Sequence, residues 1–409
     1  RASSATYVGA DGLIKTTPVN LLPRSEEIDN SVWTKERTTV TSNAISAPDG
    51  SNTADLLVED TGTGTHSCKQ TESLTSGTSY VLSAHIKANS LDNLFLSIYN
   101  KSFSGKTTNF NITAGTSADA TGSPTSHSIV SKGDGWYRVS MVFTAPSTSS
   151  HTIEIRLSKN GNWANRSYTG TGESLYVWGA QLEEGTTVTD YIPTTSTISG
   201  APRFDHDPTT GESLGLLIEE ARTNIIDNNH YHYNSIWTNA VPAGAYNNAG
   251  IAPDGTNTAF STTNYGTATR GQHNYTVTAD TNDYTFSIFI KSVGGQGQYV
   301  TYKTGFHQID QDDIDQVAYD FATDTVGHGY SRQLYANGWV RIWKTYTNNN
   351  GNLFLTTQRN TTSLDMLFWG AQLEIGSHPS SLIITPTGAN VTRAADVAKI
   401  VDADFAKTN

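Results

Sequence analysis

The loop KNGNWANRSYTG, residues 159–170, places two large aromatics, Trp163 and Tyr168, among Asn, Arg and Ser. No periodic apolar face is available to absorb them. Side chains of these kinds can cover the C–H face of a pyranose ring and fork to its hydroxyls. The neighbouring segments offer partners of the same type: His85, Lys87, Arg138, Glu154 and Arg156 alternate with apolar residues and so share polar strand faces. Later in the chain Phe289, Lys291, Arg341 and Trp343 fall in a matching pattern, and NNHYHYNSIW adds Tyr231 and Tyr233. The competing reading of both sets is a solvated sheet face with cross-strand ion pairs, and aromatic loops packed on a neighbouring domain or subunit.

Catalytic chemistry has less to work with. The chain contains no GxSxG, HExxH or P-loop motif, and its one cysteine, Cys68, reads as a buried thiol. The adjacent carboxylates Glu183 with Glu184, and Glu219 with Glu220, point to opposite faces of a strand, the wrong geometry for a shared acid and base. No enzymatic activity and no cofactor are expected. As oxygen ligands for a hard cation the candidates are Asp49 and Asp254, each in a DG turn, and the acidic run HQIDQDDIDQ with Asp310, Asp312, Asp313 and Asp315. Neither matches the twelve-residue calcium loop, and the ordinary role of such a DG pair is a simple turn.

These residues are carried by short alternating segments. Leu82, Ala84 and Ile86 oppose Val81, Ser83, His85 and Lys87. Tyr137, Val139, Met141 and Phe143 oppose Arg138 and Ser140, and Ile153, Ile155 and Leu157 oppose Thr152, Glu154, Arg156 and Ser158. Each strand is expected to bury one face only. Many such strands, separated by Gly, Asn, Ser and Thr clusters and without a convincing long helix, predict an all-β protein of antiparallel sheets packed as sandwiches or jelly rolls.

The pattern occurs twice. SVWT and SIWT place Trp33 and Trp237 204 residues apart, APDGSNTA and APDGTNTA place Pro48 and Pro253 205 apart, and DGWYRV and NGWVRI place Trp136 and Trp339 203 apart. WGAQLEEG and WGAQLEIG put Trp178 and Trp369 191 apart, so the offset drifts only by loop-sized insertions. This is an internal duplication of a unit of about 170 residues, domain-sized and too long for a solenoid repeat. The first sandwich is placed at 20–196 and the second at 224–388. Trp178 and Trp369, flanked by Gly and Ala in both copies, are read as core. The flanking pieces 1–19 and 197–223 are expected to pair as a small β connecting element with the first repeat inserted between them, and 389–409 to lead toward another module. The loop with Trp163 and Tyr168 belongs to the first copy alone.

Formal charge is -12 over 409 residues, with no Lys or Arg run, so a phosphate-neutralising surface and nucleic-acid binding are not expected. A single cysteine rules out an intrachain disulfide. No apolar run approaches the roughly eighteen residues of a spanning helix, and no membrane insertion is expected. The chain begins at Arg1 without a Met and reads as a piece of a longer polypeptide.

The frame RASSATYVGADGLI with PRFDHDPTTGESLGLLIEEARTN, the WGAQLE strand in each repeat and the exit ITPTGANVTRAADVA resemble segments that recur in bacteriophage tail-fibre, head-fibre and other virion appendage proteins. The repeats are similar to the β-sandwich modules grouped with galactose-binding-like and carbohydrate-binding domains. The second repeat departs from that pattern, with SLIITPTGA where the first keeps Tyr191 to Thr194 as Tyr-Ile-Pro-Thr. The resemblance implies a virion location, outside the cell, and contacts with other virion proteins. It also implies a homo-oligomer, a trimer in such fibres, and a structural calcium of the kind common in these sandwiches. With the polar aromatic loop it makes a host cell-surface glycan the expected partner. Two rivals stay open: purely structural spacer or decoration domains, and a binding module accessory to a polysaccharide depolymerase outside this chain.

Overall fold

A computed structural model describes residues 1–226, 245–262, 271–276, 280–293, 298–301, 305–306, 316–347, 352–359, 366–385 and 389–398. Among the described residues the regular structure is β, with a single 3-10 turn at Trp163–Asn165 and no α-helix. The chain divides into two compact units, Arg1–Ser3 with Pro18–Ala201, and Ser4–Thr17 with Pro202–Asn409.

The first unit is a sandwich of two antiparallel sheets. Its front sheet runs Thr116–Thr121, Phe103–Asn111, Asn93–Asn100, Ser149–Ser158, Ser67–Leu74 and Thr34–Glu36. Its back sheet runs Ser126–Gly133, Trp136–Thr144, Ser79–Ala88, Ser174–Glu184, Ala54–Glu59 and Thr38–Ile45. The chain crosses repeatedly between the sheets, as in a jelly roll. In the second unit the back sheet keeps the same order of equivalent strands: Ser331–Leu334, Val340–Thr347, Asp283–Ser292, Met366–Ile375, Ala259–Thr262 and Ala245–Gly250. The repeated motifs therefore encode a repeated topology.

Alternation placed the core faces correctly. Leu82, Ala84, Ile86, Val139, Met141, Phe143, Ile153, Ile155 and Leu157 meet in one core between the two sheets, with Leu94, Leu96 and Phe110. Each of these side chains other than Ala84 contributes roughly 1.5–3 kcal/mol by leaving water. Phe260, Phe286, Ile288, Ile290, Val340, Ile342 and Leu373 do the same in the second unit. Cys68, Trp178 and Trp369 are buried, as read from the sequence.

The opposite faces depart from expectation. His85, Arg138, Glu154, Arg156, Phe289 and Arg341 are all buried, so these strands bury both faces. On the back sheets the cause is a strap that follows the WGAQLE strand and folds over it. In the first copy Arg138 donates to the Thr189 carbonyl and, at 3.1 Å, to Ser83 Oγ. Glu183 accepts from the Thr189 amide and hydroxyl, Gln181 Oε1 accepts from the Ile192 amide, and Asn20 donates to the carbonyls of Ala180 and Ile192. The second copy repeats each bond: Arg341 to the Ser380 carbonyl and Ser287 Oγ, Ser380 to Glu374, the Ile383 amide to Gln372, and Asn224 to Ala371 and Ile383. Gly179 and Gly370 sit at φ 59° and 62°, where the strand bulges. A Cβ there would lie 3.0 Å from His85 Nδ1 or from Phe289 Cδ2, so the motif needs glycine for both space and conformation.

The pieces flanking the first repeat meet inside the second unit. Hairpin Thr6–Val8 with Ile14–Thr16 binds hairpin Phe204–His206 with Ser213–Leu216. The bonds are the Val8 amide to Asp205 Oδ1 at 2.7 Å, His206 Nδ1 to the Val8 carbonyl at 3.1 Å and Arg203 to the Thr6 carbonyl at 2.9 Å. At the seam Val391–Arg393 pairs with Arg222–Asn224. A buried charge cluster closes it. Arg203 pairs with Glu219 at 2.7 Å and with Asp396, while Arg393 reaches Glu219 at 2.6 Å and the Glu220 carbonyl at 2.8 Å.

Candidate functional site

The front sheet of the first unit collects polar and aromatic side chains in rows set by strand register. One row runs Asn109, Phe95, Arg156, Ser67 and Glu36; the next runs Thr107, Ser97, Glu154, Lys69 and Thr34. All ten point away from the core, because the residues between them, such as Leu94, Leu96, Ile155 and Cys68, point into it.

Over the first row lies the loop that the sequence singled out. Trp163, half-buried, meets Phe95 edge-on at 5.3 Å between ring centroids. The guanidinium of Arg156 lies 5.0 Å from the indole centroid and that of Arg166 4.8 Å. The indole is thus a pedestal for two cationic forks rather than an open platform. Gly161, at φ 69°, lets the loop approach Asn109, whose amide nitrogen lies 2.6 Å from where a Cβ would stand.

Charges on this face are partly spent on each other. Arg156 Nη2 pairs with Glu154 at 2.7 Å, and Lys69 with Glu36 at 2.6 Å. The Lys69 hydrogen bond holds the Glu36 carboxyl below its ordinary range. Hydrogen-bonding capacity nevertheless remains: Glu154 Oε1, Arg156 Nε, Ser67 Oγ and Asn109 Oδ1 are buried without a partner. Exposed Arg166, Asn160 and Asn162 line the loop beside them.

Tyr168 is placed differently from expectation. Its hydroxyl donates to Glu59 at 2.6 Å and its ring lies 4.6 Å from that of His66, so it anchors the loop instead of offering a ligand face. Burial first, then the Glu59 hydrogen bond and charge, push its phenol far above the usual range. Glu59, buried, also accepts from the Thr171 amide at 2.7 Å. Two residues 109 apart in sequence fix this loop, and nothing local signals their pairing.

The remaining candidates separate. His85, packed edge-on at 5.1 Å from Trp178 and 5.9 Å from Tyr191, and Arg138 and Arg341 lie buried beneath the strap and hold it, where the sequence pointed to ligand contact. Trp343 is half-buried, two residues along the same strand face from Arg341. Tyr231, Tyr233 and the acidic run 310–315 lie outside the described residues. Asp49 accepts from the amide and hydroxyl of Ser51, and Asp254 from those of Thr256, so both carboxylates close their own turns. Among the described residues no group of three or more His, Cys, Asp or Glu is gathered for a metal.

No protein-family model and no curated protein matches the sequence. Among solved structures the chain is similar to the N-terminal CBM22-1–CBM22-2 tandem domain of Paenibacillus barcinonensis Xyn10C. Identity is 11% and the TM-score 0.29, over 88% of this chain and 98% of that one. It is also similar to the ANXUR2 extracellular domain of Arabidopsis thaliana, at 11% identity and TM-score 0.20, over 85% of this chain and 90% of that one. At these scores the likeness carries no argument, and the fold and site stand on strand order and side-chain geometry.

Proposed function

We propose that this chain is a non-enzymatic, glycan-binding part of a virion appendage, and that the front face of its first unit holds the glycan. The observation that carries the reading is the Trp163 loop. It sets Arg156 and Arg166 against one indole, above a sheet face whose buried carboxylate, hydroxyl and amide keep unused hydrogen-bonding capacity. Planar guanidinium forks over an aromatic suit the vicinal hydroxyls and apolar C–H patches of a sugar chain. The appendage setting and the extracellular location come from the recurring frame motifs in the sequence.

A glycan array run with the wild type, Trp163→Ala and Arg166→Ala tests the reading. Saturable binding should weaken at least about tenfold in each variant, the 1.4 kcal/mol of one good contact. Binding should also survive EDTA, because among the described residues no group of three or more His, Cys, Asp or Glu is gathered for a metal. Absence of binding, or binding untouched by both substitutions, rejects it.

One observation favours a second role alongside. Phe204, Leu214, Leu216 and Ile218 are 56, 63, 48 and 55% exposed, and Phe204 stands opposite Leu216 in the hairpin. Together with Leu214 and Ile218 this pair forms an exposed apolar patch of the type that marks association. We assign it to contact between copies of the chain in a homo-oligomer. Sedimentation of the wild type beside Leu214→Ser/Leu216→Ser should show the assembly shift to monomer.

A further inference from the structure

The second unit holds a cavity of about 190 Å³ that the first lacks the parts to build. Its walls include Tyr7, Ile14, Asp205, Gln333, Tyr335 and Leu382. Its roof is the N-terminal hairpin, fixed by Thr6 Oγ1 to the Leu382 carbonyl at 2.6 Å, the Ile14 amide to the Pro253 carbonyl at 3.0 Å and the Val8 amide to Asp205. Its floor is the outer face of the back sheet, where Phe289 meets Tyr335 edge-on at 5.3 Å.

The strap explains why the space exists. Leu382 and Tyr191 are equivalent: each precedes the isoleucine whose amide binds the strap glutamine, and each lies 3.2–3.4 Å from the Cβ position of the bulge glycine. Tyr191 covers His85 and Trp178 in the first copy, whereas leucine at 382 is shorter and carries no hydroxyl. The departure from Tyr-Ile-Pro-Thr in the second repeat therefore falls at this cavity.

The groups that converge there have hydrogen bonds to give. The Tyr335 hydroxyl and the Gln333 amide have no protein partner among the described residues, Asp205 spends one oxygen on Val8, and Arg341 Nε is buried unpaired. At about 190 Å³ the space is smaller than a drug-sized site, which takes roughly 300 Å³ or more. Both terminal nitrogens of Arg341 are committed to Ser380 and Ser287, so no free cationic fork awaits an anion. A carboxylate, an amide and a phenol between aromatic and aliphatic walls match a compact, uncharged, hydroxyl-rich ring.

We propose that this cavity is a binding site for a single neutral sugar residue, separate from the front face of the first unit and independent of the reading given there. Saturation-transfer NMR with D-glucose, D-galactose and N-acetyl-D-glucosamine tests it on the full chain carrying Trp163→Ala, which silences the front face of the first unit. At least one sugar should bind saturably. Added to that background, Tyr335→Phe and exposed Gln333→Ala should each weaken it fivefold or more, and Leu382→Tyr, which restores the first copy's residue, should abolish it. Failure of all three sugars to saturate, or binding unmoved by both Tyr335→Phe and Gln333→Ala, overturns the proposal.

Discussion

His85 is kept neutral by burial and then by the neighbouring Arg138, which together pull its imidazole down to about 4. A folded value below the unfolded 6.5 gives stability that is complete above pH 6.5 and lost as pH falls through 4. The loss is on the order of 3 kcal/mol for a group so nearly enclosed. His85→Phe, which installs what the second copy carries at Phe289, should flatten the pH dependence of the first unit's melting between those limits. Glu72 works in the other direction: burial alone raises it to about 7, so its contribution is complete below pH 4.5 and lost as pH rises through 7. Glu72→Gln should raise the melting temperature by on the order of a few degrees at pH 8 and leave it unchanged at pH 4. Tyr168→Phe should cost about 1.5–3 kcal/mol, the worth of a hydrogen bond to a charged group, measured by denaturant unfolding. Neither His85 nor Tyr168 could be assigned a structural role from sequence. Alternation says which face of a strand is polar, and is silent about a strap or a loop that later covers it.

At the level of elements, the WGAQLE strand shows what a repeated motif encodes. Its Trp donates to Thr53 or Thr258, its Gly makes the bulge, and its Gln and Glu hold the strap that follows. The core faces were legible because a period of two survives in every long strand. The strap was not, since 186–194 has no periodicity and its bonds reach back across most of the repeat. The frame motifs PRFD, GLLIEE and TRAAD were visible as recurring words. Their physical meaning is the cluster of Arg203, Glu219, Arg393 and Asp396, whose members lie up to 193 residues apart. Burial opposes ionisation of Glu219, yet hydrogen bonds from Ser381 and the charge of Arg393 hold it below its ordinary value. Arg203→Ala removes one guanidinium from Asp396 and one from Glu219. It should destabilise the second unit by about 3–5 kcal/mol. In calorimetry the second unit's transition should fall while the first stays in place.

At the scale of the whole chain, duplication and insertion set the order of folding units. The Ala201 amide donates to the Pro18 carbonyl at 3.0 Å, so the first unit leaves the chain beside the point where it starts. The hairpin at Ser4–Thr17 meanwhile belongs with Pro202–Asn409, and its bonds to Asp205, Arg203 and Leu382 all lie within that unit. A segment that starts and ends at adjacent residues and buries its own core is the kind of insertion a host domain tolerates losing. A chain lacking residues 18–201, with Thr17 joined to Pro202, should therefore keep the second unit folded. Amide exchange should still protect Val8 and Ile14, and a single melting transition should remain. Removing residues 1–17 as well takes the Thr6 carbonyl from Arg203 and the Val8 amide from Asp205. That shorter chain should melt lower and lose the exchange protection of the Phe204–His206 hairpin, which separates a hairpin that belongs to the second unit from one that merely tethers the first.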